Sequence, residues 1–186
     1  MLKNTPDSYG WLSIIIHWVS ALLVIGMFTL GLWMVELDFY NPWYKDAPHY
    51  HKSLGILLAV LIGLRLLAKA KQMSPKLIGK AWEQKTAKLV HWILYLGLCS
   101  LFLSGYLIST ADGRGIDIFD WVTLPSMGEW FANQEDIAGD IHEWLAYSLI
   151  ALVSVHALAA LKHHFVNKDT TLIRIIKPLN HKKDLS

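Results

Sequence analysis

The chain has 186 residues, of which 54% are hydrophobic and only 17% are charged. A soluble globular domain usually carries about a quarter charged residues, so this composition argues against one and favours a membrane protein. The net charge of +2 gives no basic excess for a nucleic-acid partner, and the sequence contains no phosphate-binding loop and no nucleophile motif.

The apolar residues are gathered in four long blocks, which we predict to be transmembrane helices at about 11–35, 48–70, 87–110 and 141–166. A hydrocarbon core of about 30 Å needs about 20 helical residues to cross it. A water-soluble four-helix bundle would show a polar stripe on each helix, whereas residues 21–35 carry no charge on any face. We therefore expect an all-α, integral membrane four-helix bundle over residues 1–176, with 177–186 as a cytoplasmic tail.

The first two helices each carry a histidine, but at different depths. His17 lies about two turns into the first helix, and His51 lies near the start of the second, where Pro48 suits the first turn. Ionisable residues inside a membrane are unfavourable and usually functional. Arg65 follows His51 by fourteen residues and therefore lies on the same face of that helix, in the opposite leaflet.

The last two helices carry three more histidines. His91 begins the third helix, His142 begins the fourth, and His156 lies well inside the fourth. Asp140 and Glu143 resemble a capping box that opens the fourth helix. The fourteen residues from His142 to His156 rise about 21 Å and turn through about four revolutions, so one face presents an imidazole in each leaflet.

The charges of the connecting segments alternate in sign along the chain. Residues 69–88 carry a net charge of +5 and those from 162 onward +4, whereas residues 36–48 carry −2 and 111–140 carry −6. Basic segments flanking membrane helices are retained in the cytoplasm. We therefore predict that both termini and the 69–88 segment are cytoplasmic and that the two acidic segments face outward.

The depths of the histidines define two pairs. His51 lies at the outer level with His142, and His156 lies at the inner level with either His17 or His91. Two histidines from facing helices, one pair in each leaflet, is an arrangement that can hold two haem irons in the core of a bundle. A zinc site is disfavoured, because no thiolate or carboxylate cluster accompanies either pair.

Two residues of the second helix fit a haem site. Arg65 lies at the level of the inner haem, where a guanidinium could bind the propionates through paired hydrogen bonds. Gly55, four residues after His51, leaves that face bare for a flat ring. The alternatives are an Arg65 that extends to the membrane interface and histidines that make separate hydrogen bonds between helices. We expect His163 and His164, which lie among basic residues at the membrane edge, to be solvated or to contact lipid headgroups.

In order and spacing, these residues resemble the bacterial di-haem cytochrome b561 family of the inner membrane. The resemblance covers essentially the whole chain and rests on Ile16-His17-Trp18, His51-Lys52-Ser53-Leu54-Gly55, Arg65, Ser109-Thr110-Ala111-Asp112-Gly113, His142-Glu143, His156, Lys162-His163-His164-Phe165 and Lys168-Asp169-Thr170-Thr171-Leu172. It implies a multi-pass inner-membrane protein with two non-covalently bound haems b. The implied axial ligands are His17 with His156 and His51 with His142, which favours His17 over His91.

The resemblance also implies electron transfer. Family members pass electrons across the membrane, and one known activity is an oxidoreductase that oxidises superoxide at the outer face and reduces ubiquinone. The expected partners are therefore membrane lipid, the quinone pool and an unidentified electron donor on the outer face. The acidic 111–140 segment counts against superoxide, because it repels an anion. The alternatives are the membrane cytochrome subunit of a larger dehydrogenase and a haem-free histidine-relay transporter.

Overall fold

The computed structural model describes residues 1–179, so most of the predicted tail at 177–186 lies outside the described residues. Within residues 1–179 the elements are α1 (Trp11–Met34), α2 (Asp46–Lys71), α3 (Ala81–Thr110), β1 (Ile116–Ile118), β2 (Val122–Leu124), α4 (Gln134–Phe165) and α5 (Ile173–Ile176). In that part of the chain, helices α1 to α4 are long and apolar enough to cross a membrane. The prediction of a mainly helical protein with four membrane-spanning helices is therefore confirmed.

The long helices expose large apolar side chains and bury small polar ones. Leu22, Leu96 and Leu158 are each more than half exposed, whereas Ser20 and Ser104 are buried. Exposed leucines are favourable where the surroundings are lipid tails, and small residues allow neighbouring helix backbones to approach closely. This distribution is the reverse of the one expected for a helix bundle in water.

The described chain divides into two compact units, and every long helix contributes a segment to each of them. The first unit contains residues 1–21, 61–93 and those from 152 onward, and the second contains residues 22–60 and 94–151. Ile14 and Ile62 are buried in the first unit, and Leu58 and Leu149 are buried in the second.

In the first unit, α5 is fastened to distant parts of the chain. Its Arg174 is buried and donates hydrogen bonds through Nη1 to the carbonyls of Asp7 (3.4 Å) and Lys76 (2.9 Å). The indole Nε1 of Trp18, on α1, donates to the carbonyl of Ile175 at 2.8 Å. A four-residue helix is not stable alone, so these tertiary contacts hold it in place.

Two long helices begin earlier than predicted. Helix α3 begins at Ala81 rather than near 87, because Glu83 accepts the backbone N–H of Lys80 at 2.8 Å and thus caps the first turn. Helix α4 begins at Gln134 rather than near 141, so Asp140 lies inside the helix and does not cap it. Gln134 is fully buried, and its side-chain amide donates to the carbonyl of Leu107 at 2.9 Å.

The acidic segment between α3 and α4 contains a β-hairpin that the sequence did not predict. Strands β1 and β2 pair antiparallel, and Phe119 and Asp120 between them have φ values of 49° and 59°. Two successive positive φ values are typical of a tight hairpin turn. Ser53 of α2, which is fully buried, donates to the carbonyl of Asp117 (3.3 Å) and accepts the N–H of Phe119 (3.0 Å). The hairpin is thereby fixed to the helix that carries His51.

Candidate functional site

His51 of α2 and His142 of α4 lie beside each other in the second unit. Their ring centres are 6.3 Å apart and the ring planes make an angle of 70°. Two imidazoles on opposite sides of one metal ion, each bound through a nitrogen about 2 Å from it, have ring centres about 6 Å apart. The observed spacing therefore fits two axial ligands of one haem iron.

Each of these two rings packs against a glycine of a neighbouring helix. A Cβ atom at Gly31 of α1 would lie 3.3 Å from Cε1 of His51, and one at Gly105 of α3 would lie 3.2 Å from Cε1 of His142. Such distances are tighter than most real contacts, so a larger residue at either position would push the imidazole aside. These glycines were not among the residues predicted for the site.

The ring nitrogens of the pair differ in their surroundings. Nδ1 of His142 lies 3.0 Å from the hydroxyl of Ser104, on α3. Nδ1 of His51 is buried without a hydrogen-bond partner among the described residues. Gly55 was predicted to leave a bare face beside His51. In the structure the end of the Met27 side chain lies next to it, and a Cβ atom added at Gly55 would be 3.6 Å from Cε of Met27.

The first unit brings together His17, His91 and His156. The ring centres of His17 and His156 are 6.5 Å apart, and those of His91 and His156 are 5.2 Å apart. The first distance fits two ligands on opposite sides of an iron, whereas the second is too short for that arrangement. The described residues contain no group of three or more side chains placed to hold a metal ion by themselves.

Arg65 of α2 lies in the same unit, next to His17. Its Nη2 is 2.8 Å from Nδ1 of His17. A guanidinium is always a donor, so Nδ1 accepts in this arrangement and the proton of a neutral His17 lies on Nε2. Arg65 was predicted at the level of the inner histidine pair, and it contacts His17 of that pair. Its partner here is an imidazole, whereas the predicted partner was a haem propionate.

The end of α4 departs from the prediction that His163 is solvated. The side chain of His163 is only 15% exposed and its Nδ1 lies 2.6 Å from the carboxylate of Asp169. Partial burial raises the pKa of Asp169, but hydrogen bonds from Thr171 and His163 outweigh it and the pKa is lowered overall. The neighbouring Lys162 makes an ion pair of 2.6 Å with Glu83 at the start of α3. These contacts join α4 to the segment that follows it and to α3.

Each long helix places two residues of these sites fourteen positions apart: His17 and Gly31, His51 and Arg65, His91 and Gly105, and His142 and His156. One member of every pair belongs to the first unit and the other to the second. Fourteen residues make about four helical turns, so both members face the same direction. This interval is a sequence signal that could have located both glycines.

Sequence comparisons identify a family and relatives that match nearly the whole chain. The family described as prokaryotic cytochrome b561 matches residues 8–178. Cytochrome b561 homolog 2 of Escherichia coli (strain K12) is 45% identical over 175 residues, which is 93% of each chain. Probable superoxide oxidase CybB of Yersinia pestis is 32% identical over 171 residues, covering 90% of this chain and 95% of that protein. Cytochrome b561 homolog 1 of Escherichia coli (strain K12) is 30% identical over 176 residues.

With four helices able to span a membrane and a family match over nearly its whole length, the chain belongs to the prokaryotic cytochrome b561 family of membrane electron-transfer proteins, whose members typically bind haem b.

Proposed function

We propose that the protein binds two haems b and transfers electrons across the bacterial inner membrane, exchanging them with the quinone pool. The observation that carries this proposal is the pair of imidazoles in each unit, with ring-centre distances of 6.3 Å and 6.5 Å. Each distance suits two axial ligands of one iron.

On this proposal, His51 and His142 hold the outer haem, and His17 and His156 hold the inner one. His17 is preferred to His91 because its ring centre is 6.5 Å from that of His156, compared with 5.2 Å for His91. Binding an iron through Nε2 requires the proton of neutral His17 to lie on Nδ1. The hydrogen bond from Arg65 to that nitrogen must then break, which frees the guanidinium for the carboxylates of a haem.

A bound haem supplies one-electron transfer at its iron. The paired histidines would hold each haem through two imidazoles, which would leave no coordination position for a substrate. Such a site favours electron transfer over binding and activation of a small molecule. Gly31 and Gly105 support this role, because they leave room for the imidazoles of His51 and His142.

The charge distribution supports one orientation of the chain in the membrane. The segment at 69–88 carries a net charge of +5 and that at 111–140 carries −6. By the positive-inside rule, both termini and the His17/His156 pair lie on the cytoplasmic side. The hairpin and the His51/His142 pair then lie on the outer side, where an electron donor would approach.

The name of one relative suggests a possible electron donor on the outer side. One relative is named a probable superoxide oxidase. The net charge of −6 on residues 111–140 opposes the approach of a superoxide anion to this chain. We therefore favour a neutral or cationic donor. Rapid reoxidation of the reduced, purified chain by a soluble ubiquinone analogue would support a self-contained quinone oxidoreductase, whereas no reoxidation would favour a cytochrome subunit of a larger dehydrogenase.

Haem analysis of the purified protein tests the central proposal. We expect two haems b per chain and a low-spin, six-coordinate absorption spectrum. The variants His51→Ala and His142→Ala should each lose the same single haem, and His17→Ala and His156→Ala should each lose the other. The matched control is His49→Ala, which removes a neighbouring imidazole that belongs to neither pair and should retain both haems.

Three results would contradict the proposal. A ratio of one haem per chain would show that only one of the two proposed sites binds haem. A high-spin spectrum would show that one histidine of a pair does not bind the iron. Absence of haem from the wild-type protein would favour the histidine-relay transporter.

A further inference from the structure

Ser104 is a buried serine of α3 whose hydroxyl lies between a carbonyl and an imidazole. Its Oγ donates to the carbonyl of Leu101, one turn earlier, at 3.1 Å. The same Oγ lies 3.0 Å from Nδ1 of His142.

These contacts favour one tautomer of the His142 imidazole. A serine hydroxyl has one proton to donate, and the proton of Ser104 is used by the carbonyl of Leu101. The oxygen of Ser104 then presents a lone pair to Nδ1 of His142. This arrangement favours the tautomer of His142 that carries its proton on Nδ1, in which Nε2 keeps the lone pair that a metal ion requires.

We propose that Ser104 is a positioning residue for the outer haem, fixing His142 in the tautomer and orientation that bind iron. This inference rests on the proposed function, in which His142 and His51 are the ligands. A hydrogen-bond acceptor beside the ring nitrogen that does not bind the metal fixes the orientation of a metal-binding histidine. It also raises the basicity of the nitrogen that does bind the metal.

The two ligands of the outer haem are held differently. Nδ1 of His51 has no hydrogen-bond partner among the described residues, so packing against Gly31 is its main restraint. His142 has both packing, against Gly105, and the hydrogen bond to Ser104. Among the described residues, a side-chain hydrogen bond therefore orients only one ligand of this pair, His142, and the hydroxyl of Ser104 provides it.

The test compares Ser104→Ala with two further substitutions and a matched control. Ser104→Thr keeps the hydroxyl, and Ser104→Cys keeps the size but is a weak acceptor. The control is Ser109→Ala on the same helix, whose hydroxyl donates to the carbonyl of Gly105 at 2.8 Å. The bands of the outer haem are identified as those lost in His142→Ala.

Two quantities are measured on each purified, haem-loaded protein: the rate of haem transfer to apomyoglobin and the midpoint potential of each haem. In Ser104→Ala we expect the outer haem to be lost about 10-fold faster, the low end of the effect of removing such a contact. Its midpoint potential should rise, since a less basic imidazole stabilises ferric iron less. The inner haem should not change.

The pattern across variants decides the inference. Ser104→Thr should restore the wild-type potential, Ser104→Cys should be intermediate and Ser109→Ala should match the wild type. If Ser104→Ala retains no haem, the Ser104→Cys protein decides through the same two measurements. An unchanged outer potential in the alanine or cysteine variant, or equal shifts at both haems, would overturn the role of Ser104. A wild-type protein without two haems would instead overturn the proposed function.

Discussion

Arg65 and Ser104 lie beside the two proposed ligand pairs and have opposite effects on them. Arg65 places a positive charge next to the His17/His156 pair, even after its hydrogen bond to His17 breaks, whereas Ser104 offers an acceptor to His142. A nearby cation favours reduced iron, which carries one positive charge less than ferric iron, and an acceptor on the imidazole favours ferric iron. We therefore expect the inner haem to have the higher reduction potential, which favours electron flow from the outer face to the cytoplasmic face.

Replacing Arg65 by glutamine should lower the midpoint potential of the inner haem more than that of the outer one. The reason is the loss of a positive charge that faces the His17/His156 pair. A charged hydrogen bond is worth about 1.5–3 kcal/mol, which sets an upper limit on the shift. For a one-electron couple, 1.4 kcal/mol corresponds to about 59 mV.

Potentiometric titration of both haems measures this effect. Arg65→Lys should recover part of the potential, because the charge returns without the bidentate geometry. Lys71→Gln removes an exposed charge from the end of the same helix and is the control. Equal shifts at both haems in Arg65→Gln would show that Arg65 only anchors the helix at the interface.

At the scale of the elements, the β1–β2 hairpin depends on Ser53 of α2. Removing this hydroxyl in Ser53→Ala leaves the N–H of Phe119 and the carbonyl of Asp117 without the partner they have now. The loss of a buried partner costs about 1–3 kcal/mol. We expect faster amide hydrogen exchange in residues 116–124, with both haems retained.

Hydrogen exchange measured by mass spectrometry checks the role of Ser53. Thr29→Ala is the control, because the hydroxyl of Thr29 donates to the carbonyl of Ile25 within its own helix, α1. Unchanged exchange in Ser53→Ala would mean that the strand pairing holds the hairpin without help from α2.

The long helices and the histidine pairs follow from the sequence, whereas their supporting contacts do not. A membrane span must be long and apolar, and an imidazole within it is conspicuous, so local composition predicts both. Ser104 looks like any small residue of a membrane helix until a neighbouring helix places His142 beside it. The early start of α4 likewise depends on Gln134 reaching Leu107 of another helix. Such contacts join residues far apart in sequence, and no local pattern specifies them.

For the whole molecule, the alternation of charge predicts where each segment lies. A reporter fused after Ser186 should be active only in the cytoplasm, and one inserted after Asn133 only outside. The net charges of +4 from residue 162 onward and −6 over 111–140 give the physical reason. A pair of reporters, one fluorescent only in the cytoplasm and one enzymatically active only outside, measures both positions. An external C terminus would reverse the assignment of both histidine pairs.

Helix α4 carries one proposed ligand of each haem, and it is the last of the long helices to leave the ribosome. His17 and His51 are synthesised early. Their proposed partners, His156 for His17 and His142 for His51, each follow more than ninety residues later in the chain. Neither binding site can exist in a nascent chain that has inserted only α1 to α3. On the proposed ligation, stable loading of both haems therefore follows the insertion of α4.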